Sequence, residues 1–431
     1  MTSLWPAMLR DVLGIVRSAV APGPLVAQAL RQGLELRPGI GVHLLVVGKA
    51  AGGMLSGIDP VSLPLRRACA TMPPAHAVAW TPWPNLPVRA WPCDHPFATE
   101  RNVEAAREVA SFVASTPHDE LLLVLLSGGA SAHLTWPRDP LSLDELLAVS
   151  RRLMKAGASI HELNACRRAM ERLKGGGLAR LRPTGRTLVL VLSDVIGDPL
   201  EVIGSGPFTP DASMPDNALA VFDRFIPRGE HAAARRVLES SQRPAGEAEP
   251  CFAGVTHRVI GNNDLAIDAA VAALLFRGIP AVVAHRRREG SVASWAAVLR
   301  GGMSEPVSLP RAWVVGGEPV VDVGTAGGLG GPSQELALTL ALEFEGVQGW
   351  ACATLSTDGI DGPTHAAGAV VDGDTCRRVR TGGVDPTDAL ADHDSTRALE
   401  AAGDLVVTGP TGTNVNHVAV LVRFPAGTAP R

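Results

Sequence analysis

Tyrosine is absent, and all aromatic residues together make up 4% of the 431 residues. Surfaces that stack bases or sugars draw on aromatic faces, so such functions lose their usual equipment here. Neither sign of charge is in excess: Lys+Arg 39 against Asp+Glu 43 leaves a formal net charge of −4. That excludes a basic nucleic-acid binder and an acidic disordered tail. The six cysteines, Cys69, Cys93, Cys166, Cys251, Cys352 and Cys376, contain no CxxC pair. Neither a zinc ribbon nor a disulfide framework is indicated, and buried free thiols in a reducing compartment are expected. Long apolar runs are missing. The densest, Leu44–Val47, Leu121–Leu126 and Leu188–Leu192, fall well short of the roughly 20 residues of a membrane span. Asp11 and Arg17 interrupt the N-terminal apolar stretch, which argues against a secretory leader. A cytoplasmic protein without membrane or nucleic-acid partners is the expectation by elimination. Lysine is scarce too, with only Lys49, Lys155 and Lys174, so a lysine inside a glycine-rich turn stands out.

What is present is a core-forming chain, 46% hydrophobic, long enough for two or three domains. Gly 46 and Pro 34 fall in discrete clusters, as loops between regular elements require. VHLLVVGK (42–49), ELLLVLLSGG (120–129) and RTLVLVLSDV (186–195) read as buried strands that run into polar or glycine turns. Helical spacing separates them at 102–115, 142–157 and 161–173. Ser142 with Glu145 predicts a capping box, and Gly157 a C-terminal cap. Continuous apolar strands alternating with helices predict an α/β fold with mainly parallel sheets covered on both faces. The polar, Pro-rich stretch from Ser240 to Pro250 reads as a linker. The expected division is therefore an N-terminal α/β domain over 1–238 and a C-terminal one over 251–431, opened by HRVIGNND (257–264).

In open parallel sheets ligands bind at the carboxyl ends of strands. Those ends here read Gly48-Lys49, Ser127-Gly128-Gly129, Ser193-Asp194-Val195, Gly316-Gly317-Glu318, Ser356-Thr357-Asp358-Gly359 and Thr408-Gly409-Pro410-Thr411-Gly412. Glycines allow close backbone approach, and free helix N-termini favour anions; the repetition suggests a multiply charged ligand. Neither common nucleotide fingerprint is present. Ala50 follows Lys49 where a Walker A motif needs Ser or Thr, and GxGxxG fails at Gly48. Lys49 reads either as a turn lysine or as a cation on transferring phosphoryl oxygens. Ser127, Gly128, Gly129 and Ser131 read as a phosphate cradle or a plain strand-to-helix turn. Asn164, Arg167 and Arg168 share a helix face, as a ligand surface or a solvated one. Lys174 before three glycines suggests a helix end directed at an anion. Asp194 is placed for a metal, a general base or a helix cap. His95 reads as a structural loop histidine.

These stretches resemble the type-2 glycerate kinase family, built of a DUF4147 N-terminal part and a MOFRL C-terminal part. The resemblance runs from about Leu9 to about Arg423. It is carried by VVGKAAGGM (46–54), LLSGGASA (125–132), LMKAGASIHELNACRRAMERLKGG (153–176), LSDVIGDPLEVIGSGP (192–207), TDGIDGPTHAAGAVVDG (357–373) and GDLVVTGPTGTNVN (403–416). It implies two α/β domains with the site in the cleft between them. It also implies phosphorylation of D-glycerate, typically on the 2-hydroxyl, with ATP and Mg²⁺. By resemblance Lys49 is catalytic, and Asp194 is catalytic or holds Mg²⁺. Ser127, Gly128, Gly129, Ser131, Asn164, Arg167, Lys174, Glu318, Asp358 and Asn414 bind substrate or nucleotide. Partners are the small hydroxy acid and ATP, with a homo-oligomer left open.

The chain departs from the family pattern at several motifs. Where the family usually reads R/K-G-G-R-N-Q-E, residues 329–335 read Leu-Gly-Gly-Pro-Ser-Gln-Glu, so both cations are gone. H-P-V-P-D becomes His95-Pro96-Phe97-Ala98-Thr99, N-D-S becomes His393-Asp394-Ser395, and the aspartate after N-V-N becomes His417. Two alternatives to a glycerate 2-kinase follow: a degenerate member that binds ligand with little turnover, and a hydroxypyruvate reductase.

Overall fold

The computed structural model describes residues 4–33, 39–74, 83, 87–211, 215–240, 249–324 and 327–425. Residues 241–248, most of the expected linker, lie outside the described residues. The chain forms two compact units, Pro22–Ile260 and Gly261–Arg431 with Met1–Ala21.

The first unit is built on β1 (Val42–Val47), β2 (Leu65–Met72), β3 (Val88–Pro92), β4 (Leu121–Ser127), β5 (Thr187–Leu192) and β6 (Val255–Gly261), in the order β3-β2-β1-β4-β5-β6. The pairs β3/β2, β2/β1, β1/β4 and β4/β5 are all parallel. Every residue of β1, β4 and β5 is buried, the condition under which a strand reads as an unbroken apolar run. Leu45, Val47, Leu122, Val124, Val189 and Val191 share one core with Val109 and Val113 of the helix Glu100–Ala114. The chain moves outward from β1 to β3, then returns to place β4 on the other side of β1. The order thus reverses between β1 and β4.

The second unit carries β7 (Ala281–Ser291), β8 (Arg311–Val320), β9 (Trp350–Ser356), β10 (Gly368–Asp372), β11 (Leu405–Val406) and β12 (His417–Arg423), in the order β11-β10-β9-β12-β8-β7. The α/β class holds in both units, but the second sheet is mixed. Only β7/β8 is parallel, while β8/β12, β12/β9, β9/β10 and β10/β11 are antiparallel. A strand buried on both faces is apolar whichever way it runs, so the apolar run of β12 carried no direction.

Two segments depart from the linear division at 238 and 251. The helix Leu4–Ala19 buries Trp5, Leu9, Val12 and Val16 in the second unit, against the helix Asn263–Phe276 and β9. Trp5 stacks on Phe424 at 4.3 Å. β6 joins the first sheet instead of opening the second domain. Local signals served better. Ser142 caps the helix Leu143–Lys155 by accepting from Glu145 N–H, and Gly157 lies just past the C-cap with φ +83°. The capping box itself is incomplete, because the Glu145 carboxylate accepts from the Ala233 and Ala234 N–H groups instead. All six cysteines are buried and none forms a disulfide. Among the described residues no single helix is long and apolar enough to cross a membrane.

Candidate functional site

The reversal between β1 and β4 leaves a crevice beyond their carboxyl ends, where open α/β sheets bind ligands. Register places Val47 beside Leu126 and Ser127 beside Leu192, so Gly48-Lys49, Ser127–Gly129 and Ser193-Asp194 emerge together. The turns interlock: Lys49 N–H donates to Gly128 O at 2.8 Å, and Ala50 N–H donates to Ser127 Oγ at 3.2 Å. Contact is too close for side chains. A Cβ on Gly128 would lie 1.8 Å from Asp194 Oδ2, and one on Gly129 would lie 2.8 Å from Lys49 Cγ and 3.1 Å from His95 Cδ2. Gly129, with φ +82°, precedes the short helix Ala130–His133. These glycines are therefore what lets Asp194, Lys49 and His95 converge on one turn.

A second cluster adjoins it. The helix Ile160–Met170 starts in a complete capping box, with Ser159 accepting from Glu162 N–H and Glu162 accepting from Ser159 N–H. That helix carries Asn164, buried, and Arg167. Ser205 Oγ donates to Asn164 Oδ1 at 3.3 Å and meets Ser131 Oγ at 2.9 Å. Ser205 holds φ +61°, a left-handed backbone that a non-glycine residue adopts at a cost and that gathers at functional sites. Its carbonyl accepts from Gly175 N–H at 2.9 Å. A cavity of ≈ 320 Å³ opens among His95, Gly129, Ser131, Arg167, Glu171 and Lys174, and Phe97, Leu146, Leu147 and Met154 give it an apolar wall.

Charge in and beside the cavity is uneven. Lys49 and Arg167 form no ion pair among the described residues. Burial lowers the Arg167 pKa and Glu171 opposes that fall, which leaves the guanidinium as a positive donor. Lys174 differs from expectation. It does not end a helix, since the helix closes at Met170, and it is 3% exposed in a buried ion pair with Glu171. Its charge is thus partly spent within the protein, while Glu171 Oε2 has no hydrogen-bond partner among the described residues. Arg168 also leaves the expected surface, pairing with Asp211 at 3.0 Å. His95 lies at the cavity beside Lys49, where desolvation and the ammonium charge lower its pKa.

Lys49, Ser127, Gly128, Gly129, Ser131, Asn164, Arg167, Lys174 and Asp194 all belong to the first unit. Glu318, Asp358 and Asn414 belong to the second. Glu318 is exposed at the end of β8. Asp358 Oδ1 accepts from Ser356 Oγ at 2.7 Å and Ile360 N–H at 3.0 Å. Asn414 Oδ1 accepts from Asn416 N–H at 3.1 Å. Sequence reading passed over Glu171, whose signal is its i, i+3 spacing to Lys174, and Ser205, which nothing local marked. It also set His95 aside.

Among the described residues no group of three or more His, Cys, Asp or Glu could hold a metal. Asp194 supplies one carboxylate, which does not make a resident site. It fits Mg²⁺ that arrives on substrate phosphates and takes one or two protein carboxylates.

The family described as a domain of unknown function (DUF4147) matches residues 9–239, and the MOFRL family matches residues 311–417. The chain is 33% identical over 386 residues to a Thermotoga maritima protein named D-glycerate 2-kinase, covering 88% of this chain and 90% of that protein. It is 36% identical over 337 residues to an Agrobacterium vitis protein provisionally named hydroxypyruvate reductase, covering 76% of each. A crystal structure of glycerate kinase from Thermotoga maritima superposes with TM-score 0.85 at 31% identity, over 97% of this chain and 99% of that one.

Proposed function

Because the chain belongs to the glycerate kinase family, we propose that it transfers the terminal phosphoryl group of ATP to the 2-hydroxyl of D-glycerate or a closely related hydroxy acid. The observation that carries this reading is the placing of two cations that form no ion pair among the described residues, Lys49 and Arg167, around one glycine-lined turn at the switch point of the first sheet.

In this mechanism Arg167 binds the substrate carboxylate, a charge-assisted contact suited to its planar fork. Lys49 faces the transferring phosphoryl group and offsets the charge on its oxygens. Gly128 and Gly129 carry no side chain, so Asp194 and Lys49 can pack against their turn and stand close to the reacting groups. Ser131 and Asn164, tied through Ser205, hold the substrate hydroxyls. Asp194 orients the attacking 2-hydroxyl. That oxygen bonds to phosphorus as the bond to the ADP oxygen breaks, and the hydroxyl proton leaves to Asp194 or solvent. Mg²⁺ carried on the nucleotide would touch Asp194 and supply charge neutralisation. Catalysis then rests on positioning and electrostatics, as phosphoryl transfer generally does.

A degenerate, ligand-binding member is the second reading. Pro332 opens the helix Pro332–Glu343 without a cation or a backbone N–H, and loss of a phosphoryl-stabilising arginine costs on the order of 10³–10⁵ in rate. Purified protein with ATP, Mg²⁺ and D-glycerate decides between them. ADP release with the 2-phosphate seen by phosphorus NMR supports the kinase. Binding without turnover supports the degenerate member. NADH oxidation with hydroxypyruvate would instead support the reductase named for the Agrobacterium relative.

A further inference from the structure

The cavity beside the Gly129 turn has two unlike sides. One carries its charge: Arg167, Glu171 and Lys174 line it from the helix Ile160–Met170 and the segment that follows. The other is built on the helix Leu143–Lys155, where Leu147, Ser150, Arg151 and Met154 lie at i, i+3, i+4 and i+7 and so share a face. Ser150 is the one uncharged polar residue on that face. The loop that carries Phe97 completes this side, and Arg151 Cζ lies 5.9 Å from the centre of the Phe97 ring.

The loop is held in place by one side chain. Asn102 is fully buried. Its Oδ1 accepts from the Asp94 and Thr99 N–H groups at 3.1 Å each, and its Nδ2 donates to Asp94 O at 2.9 Å and to Ala132 O at 3.0 Å. The loop is thereby tied to the short helix Ala130–His133 that follows Gly129. Phe97 and Met154 are nonetheless 53% and 43% exposed, whereas Leu146, in the same helix as Met154, is packed into the core at 2%. Large apolar side chains left open on the wall of a cavity, beside placed polar groups, mark a ligand surface.

Position decides what that wall receives. Lys49, which faces the phosphoryl group in the mechanism above, stands against Gly129 and does not line the cavity, whereas Arg167, which holds the acceptor carboxylate, does. The cavity is therefore the acceptor's side of the reaction. At ≈ 320 Å³ it falls within the range of about 300–1,000 Å³ that encloses drug-sized ligands. A three-carbon acid anchored on Arg167 is polar all round and leaves the apolar wall uncovered. An aliphatic chain laid there removes apolar surface of both partners from water.

We propose that the acceptor is a D-2-hydroxy acid whose aliphatic side chain is larger than that of glycerate and lies against Leu147, Met154 and Phe97. This rests on the kinase reading above and narrows its substrate class. The transfer is unchanged: the 2-hydroxyl oxygen takes the phosphoryl group, the bond from phosphorus to the ADP oxygen breaks, and the hydroxyl proton goes to Asp194 or solvent.

ADP release with ATP and Mg²⁺ tests this by comparing D-glycerate with D-2-hydroxy-4-methylpentanoate. The branched acid is expected to show a kcat/KM about tenfold higher or more, since one methylene in an apolar pocket is worth about 10–200-fold. Met154→Asp, at an exposed position that spares the fold, should lower the ratio of the two kcat/KM values about tenfold. Preference of the unaltered enzyme for D-glycerate overturns the proposal and leaves the kinase reading in place. So does a ratio that Met154→Asp leaves unchanged, or an effect of that variant confined to the KM for ATP, which would give the wall to adenine. Phosphorylation of neither acid sinks the kinase reading, and titration calorimetry with the two acids then decides the role of the cavity. Tighter binding of the branched acid upholds it, and equal or weaker binding overturns it.

Discussion

Lys49 and Lys174 show how one residue type takes two different jobs within one unit. Lys174 is buried against Glu171, so its removal would strand a carboxylate and destabilise the fold, at a cost of about 3–5 kcal/mol for a broken buried pair. Lys49 has no such partner among the described residues, so the proposed mechanism predicts a clean separation for Lys49→Met. Turnover in an ADP-release assay should fall about 10²–10³-fold, the loss seen when one preorganised donor is removed. The denaturant midpoint should stay near wild type. Unchanged turnover would remove Lys49 from its role. Gly128→Ala tests the neighbouring contact. The added methyl meets Asp194 Oδ2 at 1.8 Å, so the carboxylate must move, and the expected result is a fall in kcat with little change in KM for D-glycerate. A fall in KM-limited binding alone would contradict an orienting role for Asp194. At this scale the sequence was legible in part. Strand-end glycines, Lys49 and Asp194 announced themselves by position, and Arg167 by helical spacing. The partner of Lys174 did not, because an ion pair depends on where the chain turns after Met170.

The elements form for reasons that are mostly local, and their ends can be tested locally. β1, β4 and β5 were readable because an apolar run between polar turns leaves few alternatives. The helix Pro332–Glu343 shows the limit. Its only local start signal is proline at the first helical position, and its N-terminus is satisfied from a distance by the Asp361 carboxylate, which accepts from two backbone N–H groups and from Gln334 Nε2. Such a long-range cap leaves no signature at the helix itself. Removing it by Asp361→Ala should destabilise the protein by roughly 1–3 kcal/mol, the cost of buried donors left without acceptors. Asp361→Asn should cost less, since one amide oxygen still accepts. The two midpoints in urea check this order. Equal midpoints for both variants would mean that the carboxylate's two oxygens do not share the helix N–H groups. Strand direction in the second sheet and the sheet chosen by β6 were hidden for a related reason: both depend on partners distant in sequence, and burial pattern carries neither.

The whole molecule holds several histidines neutral by burial, and this sets how its stability responds to acid. Burial lowers the pKa of His43, His95, His133, His257 and His417. His133 is the plainest case: it is 0% exposed, meets Thr71 Oγ1 at 3.1 Å, and is pushed down to about 4. The unfolded chain takes up a proton near pH 6.5, whereas the folded chain refuses it until about 4. Between those values the unfolded state binds more protons, so stability falls as pH falls, and above 6.5 His133 contributes no slope. The span corresponds to about 3 kcal/mol for a shift of this size. Carboxylates whose pKa is lowered, such as Glu120 and Glu345, lose their contribution only below their ordinary range, so their window is more acidic. His133 lies in the unit Pro22–Ile260, and the decline should appear in that unit's unfolding transition. Urea unfolding between pH 7 and 4.5 should therefore show stability dropping steadily. His133→Gln, which keeps a hydrogen-bonding group for Thr71 and cannot titrate, should remove the His133 share of that slope and leave the share of His95, which is also pushed down to about 4. A variant that retains the full wild-type slope would mean that the acid response comes from the other buried histidines and not from His133.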